Sequence, residues 1–251
     1  MSPDDSRFLF DVADEGLHRT IGVGIAWMHC RRSPTKTINE DSTGLIPVNQ
    51  SSAVFVVADG VGGHSAGEQA SRMVVEYLRD AVADAVANDQ LLRTAILNGL
   101  ERANQAVLDL KLGSASTAAV VEVSGPVVRT YHVGDSGIVI CGSRGKMKLQ
   151  TIAHAPVSYA VEAGILNEKE AMRHQDRHLV SNVVGSSEMR IEIGPTTTLA
   201  PQDTLMLASD GLFDNLYPDE IVELIRKRSL PEAAARLGTV VGDRMAGIKS
   251  G

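Results

Sequence analysis

The sequence predicts an α+β fold, with helices over the outer faces of two stacked, mainly antiparallel sheets. Three observations carry that prediction. Segments with strand pattern come first, two long amphipathic helices follow, then more strands and further helices, without the regular alternation that builds a parallel sheet. SSAVFVVAD (51–59) is a continuous β-branched and aromatic run of the kind buried on both faces. Each long helix carries a single apolar stripe, which has to lie on a sheet.

After a short acidic leader, TIGVGIAWMHC (20–30) alternates like a strand, and the 51–59 run is the next one. Val74, Leu78, Val82 and Ala85 recur at helical spacing, as do Leu92, Ile96, Leu100, Ala103 and Val107. Strand pattern returns in STAAVVEV (116–123), VVRTYHV (127–133), GIVICG (137–142) and KMKLQTI (146–152). Turns are expected at Gly125-Pro126 and at Gly134-Asp135-Ser136-Gly137. AVEAGILNEKEAMRH (160–174) reads as a polar helix, with Asn167 and Glu170 at capping-box spacing. IEIGPTTTL (191–199) and DTLMLASD (203–210) are strands again. The last two helices, 218–228 and 231–246, each open with proline, which the first helical turn tolerates. No repeat or low-complexity linker divides the chain, so one domain over 1–251 is expected.

Composition narrows the function classes. A chain of 251 residues, 43% hydrophobic, has ample material for a core, and with few aromatics that core must be aliphatic. A net charge of −7 argues against nucleic acid or an anionic membrane as partner. Cys30 and Cys141 make neither a disulfide framework nor a zinc site and read as buried thiols. The sequence shows no bilayer-spanning apolar run and no signal-peptide pattern at its start, so a reducing cytoplasm is expected.

The chemistry lies in acids at strand ends. Asn39-Glu40-Asp41-Ser42 precedes the strand that delivers Asp59-Gly60; Asp135 sits between two strands; Asp210-Gly211 ends another apolar run. Asp-Gly is a favoured turn pair, because Asp bonds its own backbone and Gly accepts positive φ, so each alone reads equally as a turn. Gathered together without basic partners, such carboxylates repel, and the remedies are protonation or a bound cation. Aspartates, a glutamate and a glycine carbonyl make the all-oxygen ligand set that magnesium and manganese prefer.

NEDS (39–42), ADGVGGHSAGEQAS (58–71), GSASTAAVV (113–121), HVGDSG (132–137) and LASDGLFDNL (207–216) resemble, in order and spacing, the motifs of metal-dependent type 2C (PPM) serine/threonine protein phosphatases, the bacterial members above all. The resemblance covers about residues 20–228. It implies an α–β–β–α sandwich with a two-metal site at one end of the sheets. It also implies hydrolysis of phosphoserine and phosphothreonine by a metal-bridging hydroxide. Asp59 then corresponds to the acid bridging both ions, Mn2+ or Mg2+. Gly60 offers its carbonyl to one ion, Glu40 and Asp41 act through bound waters, Asp210 holds the other ion, and Asp135 with Asp210 holds a weaker third. The implied partner is a phosphorylated protein, with a cognate Ser/Thr kinase opposing the reaction, and a monomer is the family's default.

Several positions depart from the family. Lys36 stands where an arginine normally clamps the substrate phosphate, and it offers a point charge without the bidentate fork; Arg31 and Arg32 lie nearby, and a solvated surface lysine is the alternative. His64, after the double glycine, is placed to assist the leaving alkoxide as a general acid; helix capping or simple exposure are the alternatives. Gly137 replaces an arginine, and the usual Asp-His-Ser of the flap region beside the cleft (154–185) is Ala153-His154-Ala155. The family's last metal-binding acid and final strand are expected to be missing, with Asp243 the one nearby acid, inside a helical pattern. These departures leave a second reading, a phosphoprotein-binding pseudophosphatase, and a third, a hydrolase of small phosphoesters.

Overall fold

The computed structural model describes residues 5–10, 14–21, 24–31, 38–62 and 65–247. The chain opens with β1 (Arg7–Phe10), a hairpin of β2 (Asp14–Ile21) and β3 (Gly24–Arg31), then β4 (Asp41–Pro47) and β5 (Ser52–Val61). Two helices follow, α1 (Ser65–Ala87) and α2 (Leu92–Leu110). After them come β6 (Ala115–Ser116), β7 (Ala118–Ser124), β8 (Val127–Val133), β9 (Gly137–Cys141) and β10 (Met147–Gln150). The flap region carries α3 (Pro156–Glu162) and α4 (Glu168–Ala171). The remainder is β11 (Glu192–Ile193), β12 (Thr197–Thr198), β13 (Thr204–Ala208), α5 (Asp210–Phe213), α6 (Pro218–Ile225) and α7 (Leu230–Met245).

One antiparallel sheet runs β1-β4-β5-β7-β8-β11, with β12 also beside β8 and β6 against the end of β5. A second runs β10-β9-β13. The period of two along the strands sorts their side chains into layers. Val54, Val56, Val120 and Tyr131 meet the stripes of α1 and α2, including Val74, Leu78, Ile96 and Leu100. From the opposite face of the same strands, Ala119, Val121 and Val128 meet Ile138 and Ile140 of the second sheet. Cys141, on the other face of β9, packs with Ile221, Ile225, Leu237 and Val240 of α6 and α7. Helix, sheet, sheet and helix therefore stack as expected, on an aliphatic core.

Four element boundaries differ from the sequence reading, each for a local reason. Thr20 and Ile21 end β2, a strand that begins in the supposed leader and pairs along its whole length with β3, so the 20–30 segment is part of a hairpin. The polar helix expected at 160–174 is two short helices: Gly164 takes φ of +70°, which ends the first, and Asn167 begins the second. The Asn167–Glu170 capping box forms as its spacing predicts. The 191–199 segment keeps only β11 and β12, both paired to β8, on either side of Gly194-Pro195. The helix expected over 218–228 ends at Ile225.

Candidate active site

The antiparallel register of β4 and β5 sets Asp41 directly opposite Asp59. Directly opposed residues share a face of the sheet, so the two carboxylates are neighbours. Asp210 arrives from the second sheet, as the first residue of α5 just beyond β13, and Ser209 before it donates its hydroxyl to Asp41 Oδ2 at 2.8 Å. Asp135 comes from the turn between β8 and β9. Ends of both sheets thus deliver acids to one place.

Their electrostatics are those of crowded like charges. Burial first, then the charges of Asp41, Asp210 and Asp135, push the Asp59 carboxyl well above the usual carboxylate range. The nearness of the Asp210 carboxylate further favours a proton on Asp59. Burial first, then Asp210, Asp214 and Asp41, push Asp135 up to about 7. Among the described residues no ion pair reaches Asp59, Asp135 or Asp210.

The backbone that holds these acids is tightly bonded. Thr117 Oγ1 accepts from the Asp59 N–H at 2.9 Å and shares a 2.6 Å hydrogen bond with Ser136 Oγ, next to Asp135. The Asp59 carbonyl accepts from Thr117 N at 2.8 Å and from Ser116 Oγ at 3.0 Å. Glu40 is buried, and its carbonyl accepts from Gly60 N at 3.1 Å and from Ser71 Oγ at 2.6 Å. Gly60 is also needed sterically: a Cβ there would lie 2.1 Å from the carbonyl oxygen of Gly67, in the first turn of α1.

Of the acids singled out in the sequence, the structure brings Asp41, Asp59, Asp135 and Asp210 together and sets Glu40 beside them in the chain. Lys36, His64 and Arg32 lie outside the described residues, and of Arg31 only the backbone is described. Asp243 lies within α7, as its pattern implies. The sequence reading missed Asp214, whose pKa is raised by burial first and then by Asp210. It stands four residues after Asp210, one helical turn on, and that spacing was legible. It also missed His178, whose Nδ1 lies 3.1 Å from Asp214 Oδ2, and which groups with Asp210 and Asp214 as a metal set would. Nothing in the sequence pattern marks His178, because the flap region brings it there from outside either sheet.

Between the acids and the flap region lies a cleft of about 310 Å³, lined by Asp135, Asp210 and Asp214 on one side and by Val157, Val161 and Met172 on the other. The flap region also brings Glu162, Glu168 and Arg177 to this cleft, so beside the acids it offers a peptide both apolar and charged contacts.

Residues 31–241 match the profile of the protein phosphatase 2C family. A serine/threonine phosphatase of Listeria monocytogenes is 30% identical over 210 residues, covering 78% of this chain and 81% of that protein. The serine/threonine phosphatase of S. agalactiae superposes with a TM-score of 0.74 at 26% identity, covering 95% of this chain and 94% of that one. The catalytic domain of the phosphatase PstP, solved with two manganese ions, has the same fold, with a TM-score of 0.68 at 24% identity over 96% of this chain and 93% of that one. With its sandwich and its converging acids, this chain belongs to the protein phosphatase 2C family.

Proposed function

We propose that residues 1–251 act as one catalytic domain whose converging acids hold two divalent cations, Mn2+ or Mg2+, for the hydrolysis of phosphoserine and phosphothreonine in proteins. Family membership makes the chain a metal-dependent serine/threonine protein phosphatase. The observation that carries the assignment of residues is the placing of Asp41 directly opposite Asp59, with Asp210 and Asp135 brought near and no ion pair to Asp59 among the described residues. All the donors are oxygen atoms of carboxylates and backbone, which fits hard divalent cations. In this reading Asp59, the Gly60 carbonyl and Asp210 would hold the two ions, and Glu40 and Asp41 would act through bound waters. Asp135 and Asp210 serve a weaker third.

Divalent ions bound there supply a water acidic enough to ionise near neutral pH and offset charge on the phosphoryl oxygens. The chain's own part is preorganisation. Ser209 fixes Asp41 from the second sheet, and Thr117 Oγ1 ties the backbone of Asp59 to the Asp135 turn through the Ser136 hydroxyl. Lys36 draws the substrate phosphate in, and His64 protonates the leaving serine or threonine oxygen. The flap region's side of the cleft, which mixes apolar with charged side chains, receives the peptide beside the phosphorylated residue.

The wider setting follows from the same reading. The substrate is a phosphoprotein, the opposing partner a Ser/Thr kinase, and the chain acts as a monomer in a reducing cytoplasm. Cys141 is a buried free thiol, and no helix among the described residues is long and apolar enough to cross a membrane, both consistent with that setting. The test is Mn2+-dependent release of phosphate from a phosphothreonine peptide by the wild-type chain and by Asp59→Asn. Activity that vanishes in the variant supports the reading. An inactive wild-type chain that still binds the phosphopeptide overturns it in favour of a binding module.

A further inference from the structure

His154 is buried, 6% exposed, and opens the flap region four residues beyond the end of the second sheet's edge strand. Its backbone N–H donates to the Gly134 carbonyl at 2.9 Å, and the Gly134 N–H donates back to His154 Nδ1 at 3.1 Å. Ser181 holds the His154 carbonyl from the far side of the flap region, through its N–H at 2.8 Å and its hydroxyl at 2.9 Å. Asn182 Nδ2 donates to the same Nδ1 at 2.8 Å. The orientation of that amide is set by Arg190, whose N–H donates to Asn182 Oδ1 at 2.9 Å and whose carbonyl accepts from Nδ2 at 2.7 Å.

These partners assign the tautomer. Two N–H groups point at Nδ1, so Nδ1 carries a lone pair and Nε2 carries the hydrogen, which is donated to Glu192 Oε2 at 3.2 Å. His132, stacked on His154 at 4.4 Å, donates its own Nε2–H to the Ile152 carbonyl at 3.0 Å. The ligand atoms of His132, His154 and Glu192 gather within 4.8 Å of one another, as a metal set would. With both Nε2 atoms acting as donors, however, neither offers a lone pair, and the cluster is a hydrogen-bonded support instead.

What it supports is Gly134, the residue before Asp135. Ser136, the residue after, is bonded to Thr117. The turn is gripped on both sides of the carboxylate. We propose that His154 is a positioning residue, which fixes through Nδ1 the turn from which Asp135 enters the metal cleft, and which couples the flap region to that acid. The proposal rests on the reading of the cleft as a divalent-cation site.

The test separates the two. Asparagine keeps an acceptor near the place of Nδ1, whereas glutamine places its amide near Nε2 and alanine offers nothing. Mn2+ alone is titrated by calorimetry into the wild-type chain, His154→Asn, His154→Gln and His154→Ala, with Asp135→Asn defining which ion depends on Asp135. Removing a group that orients a ligand weakens metal binding by about tenfold to a hundredfold. That loss is expected for the Ala and Gln variants, with Asn within about threefold of wild type. In the metal-free proteins, exchange of the Gly134 amide hydrogen speeds up in Ala and Gln and slows again in Asn. Should the Ala variant fail to fold, the Gln and Asn variants carry the comparison. Equal Mn2+ affinity in Gln and Asn, or unchanged Gly134 exchange, overturns the role of His154 alone. A wild-type chain that takes up no Mn2+ overturns the metal reading beneath it.

Discussion

Asp41 and Asp59 face each other across the β4–β5 ladder, one carboxylate directly opposite the other. Like charges so placed destabilise a sheet, and here a third, on Asp210, is brought against them from the other sheet. A fold built only for stability would put a Thr or a Lys in one of the positions. In the metal-free chain this crowding raises the pKa of Asp59, and the hydroxyl of Ser209 is donated to Asp41.

Asp59→Asn therefore has two opposite effects. Without metal it removes a crowded charge while keeping the shape, so the variant unfolds at a higher temperature, by about 1–2 kcal/mol in stability, the usual gain when a strained site is relaxed. With Mn2+ it loses the added stability that the ions give the wild-type chain, and phosphopeptide hydrolysis falls by at least about 10³-fold, or about 4 kcal/mol at the transition state. Thermal unfolding with and without Mn2+, beside a phosphate-release assay, checks all three. A variant less stable than wild type without metal would mean that Asp59 is a structural acid.

The pH dependence has a defined sign. Asp135 titrates near 7 in the folded chain and in the ordinary carboxylate range when unfolded. Between those values the folded chain holds a proton that the unfolded chain has released, so the stability of the metal-free protein falls as pH rises, levelling off above about 7. At about 1.4 kcal/mol per pKa unit the loss is on the order of a few kcal/mol. Asp59, raised in the same direction, steepens it. Because Mn2+ binds the ionised carboxylates, its stabilising effect grows over the same window. Unfolding temperatures across that window are expected to fall with rising pH in chelator and to stay nearly level in saturating Mn2+, where neither the metal-bound nor the unfolded chain holds the proton. Asp135→Asn flattens the chelator series, and an unaltered slope there would place the titration elsewhere.

Thr117 joins what the two sheets supply. Its Oγ1 takes the Asp59 N–H and bonds Ser136 Oγ. Thr117→Val keeps the shape but leaves both partners unsatisfied, at about 1–3 kcal/mol, whereas Thr117→Ser keeps the oxygen and most of the stability. Mn2+ affinity follows the same order, since both acid-bearing segments loosen together. Denaturant unfolding and Mn2+ titration of the pair check this; a Val variant that matches Ser in both removes Thr117 from the site's framework.

The contrast between Asp59 and His178 shows what sequence could reveal. Asp59, Asp135 and Asp210 were legible because an apolar strand running into an acid and a glycine is a local pattern, and strand ends of stacked sheets converge. The helix stripes of α1 and α2 were legible for the same reason, since burial of one face repeats every turn. His178 was not, nor was the bonding of His154, whose place at the start of the flap region was read but whose partners depend on how that region folds back over the cleft, which no periodicity encodes. The divided helix at Gly164 and the early strand β2 were misread where propensity competes with tertiary pairing. Gly60 was read as a turn residue and a carbonyl ligand; its close approach to Gly67 is a further requirement that a single sequence hides.

Gly137 gives the last prediction. The family's arginine is absent there, and the space is filled: a Cβ at Gly137 would lie 2.7 Å from Cε2 of the Phe213 ring and 2.8 Å from Cζ. Gly137→Ala must push that ring aside, at about 1–3 kcal/mol, the ordinary penalty for overpacking. Phe213 closes α5, the helix that Asp210 begins, so displacing the ring also shifts Asp210, and Mn2+ affinity falls with stability. In a Phe213→Leu background the smaller side chain accepts the new methyl, and the penalty shrinks by about 0.5–1 kcal/mol or more, a coupling measurable in a double-mutant cycle. Additive losses would show that the two residues do not share the space. Coupled losses in stability together with restored Mn2+ binding would show that Phe213, in the place of a basic contact, holds the metal-bearing end of the second sheet in register with the first.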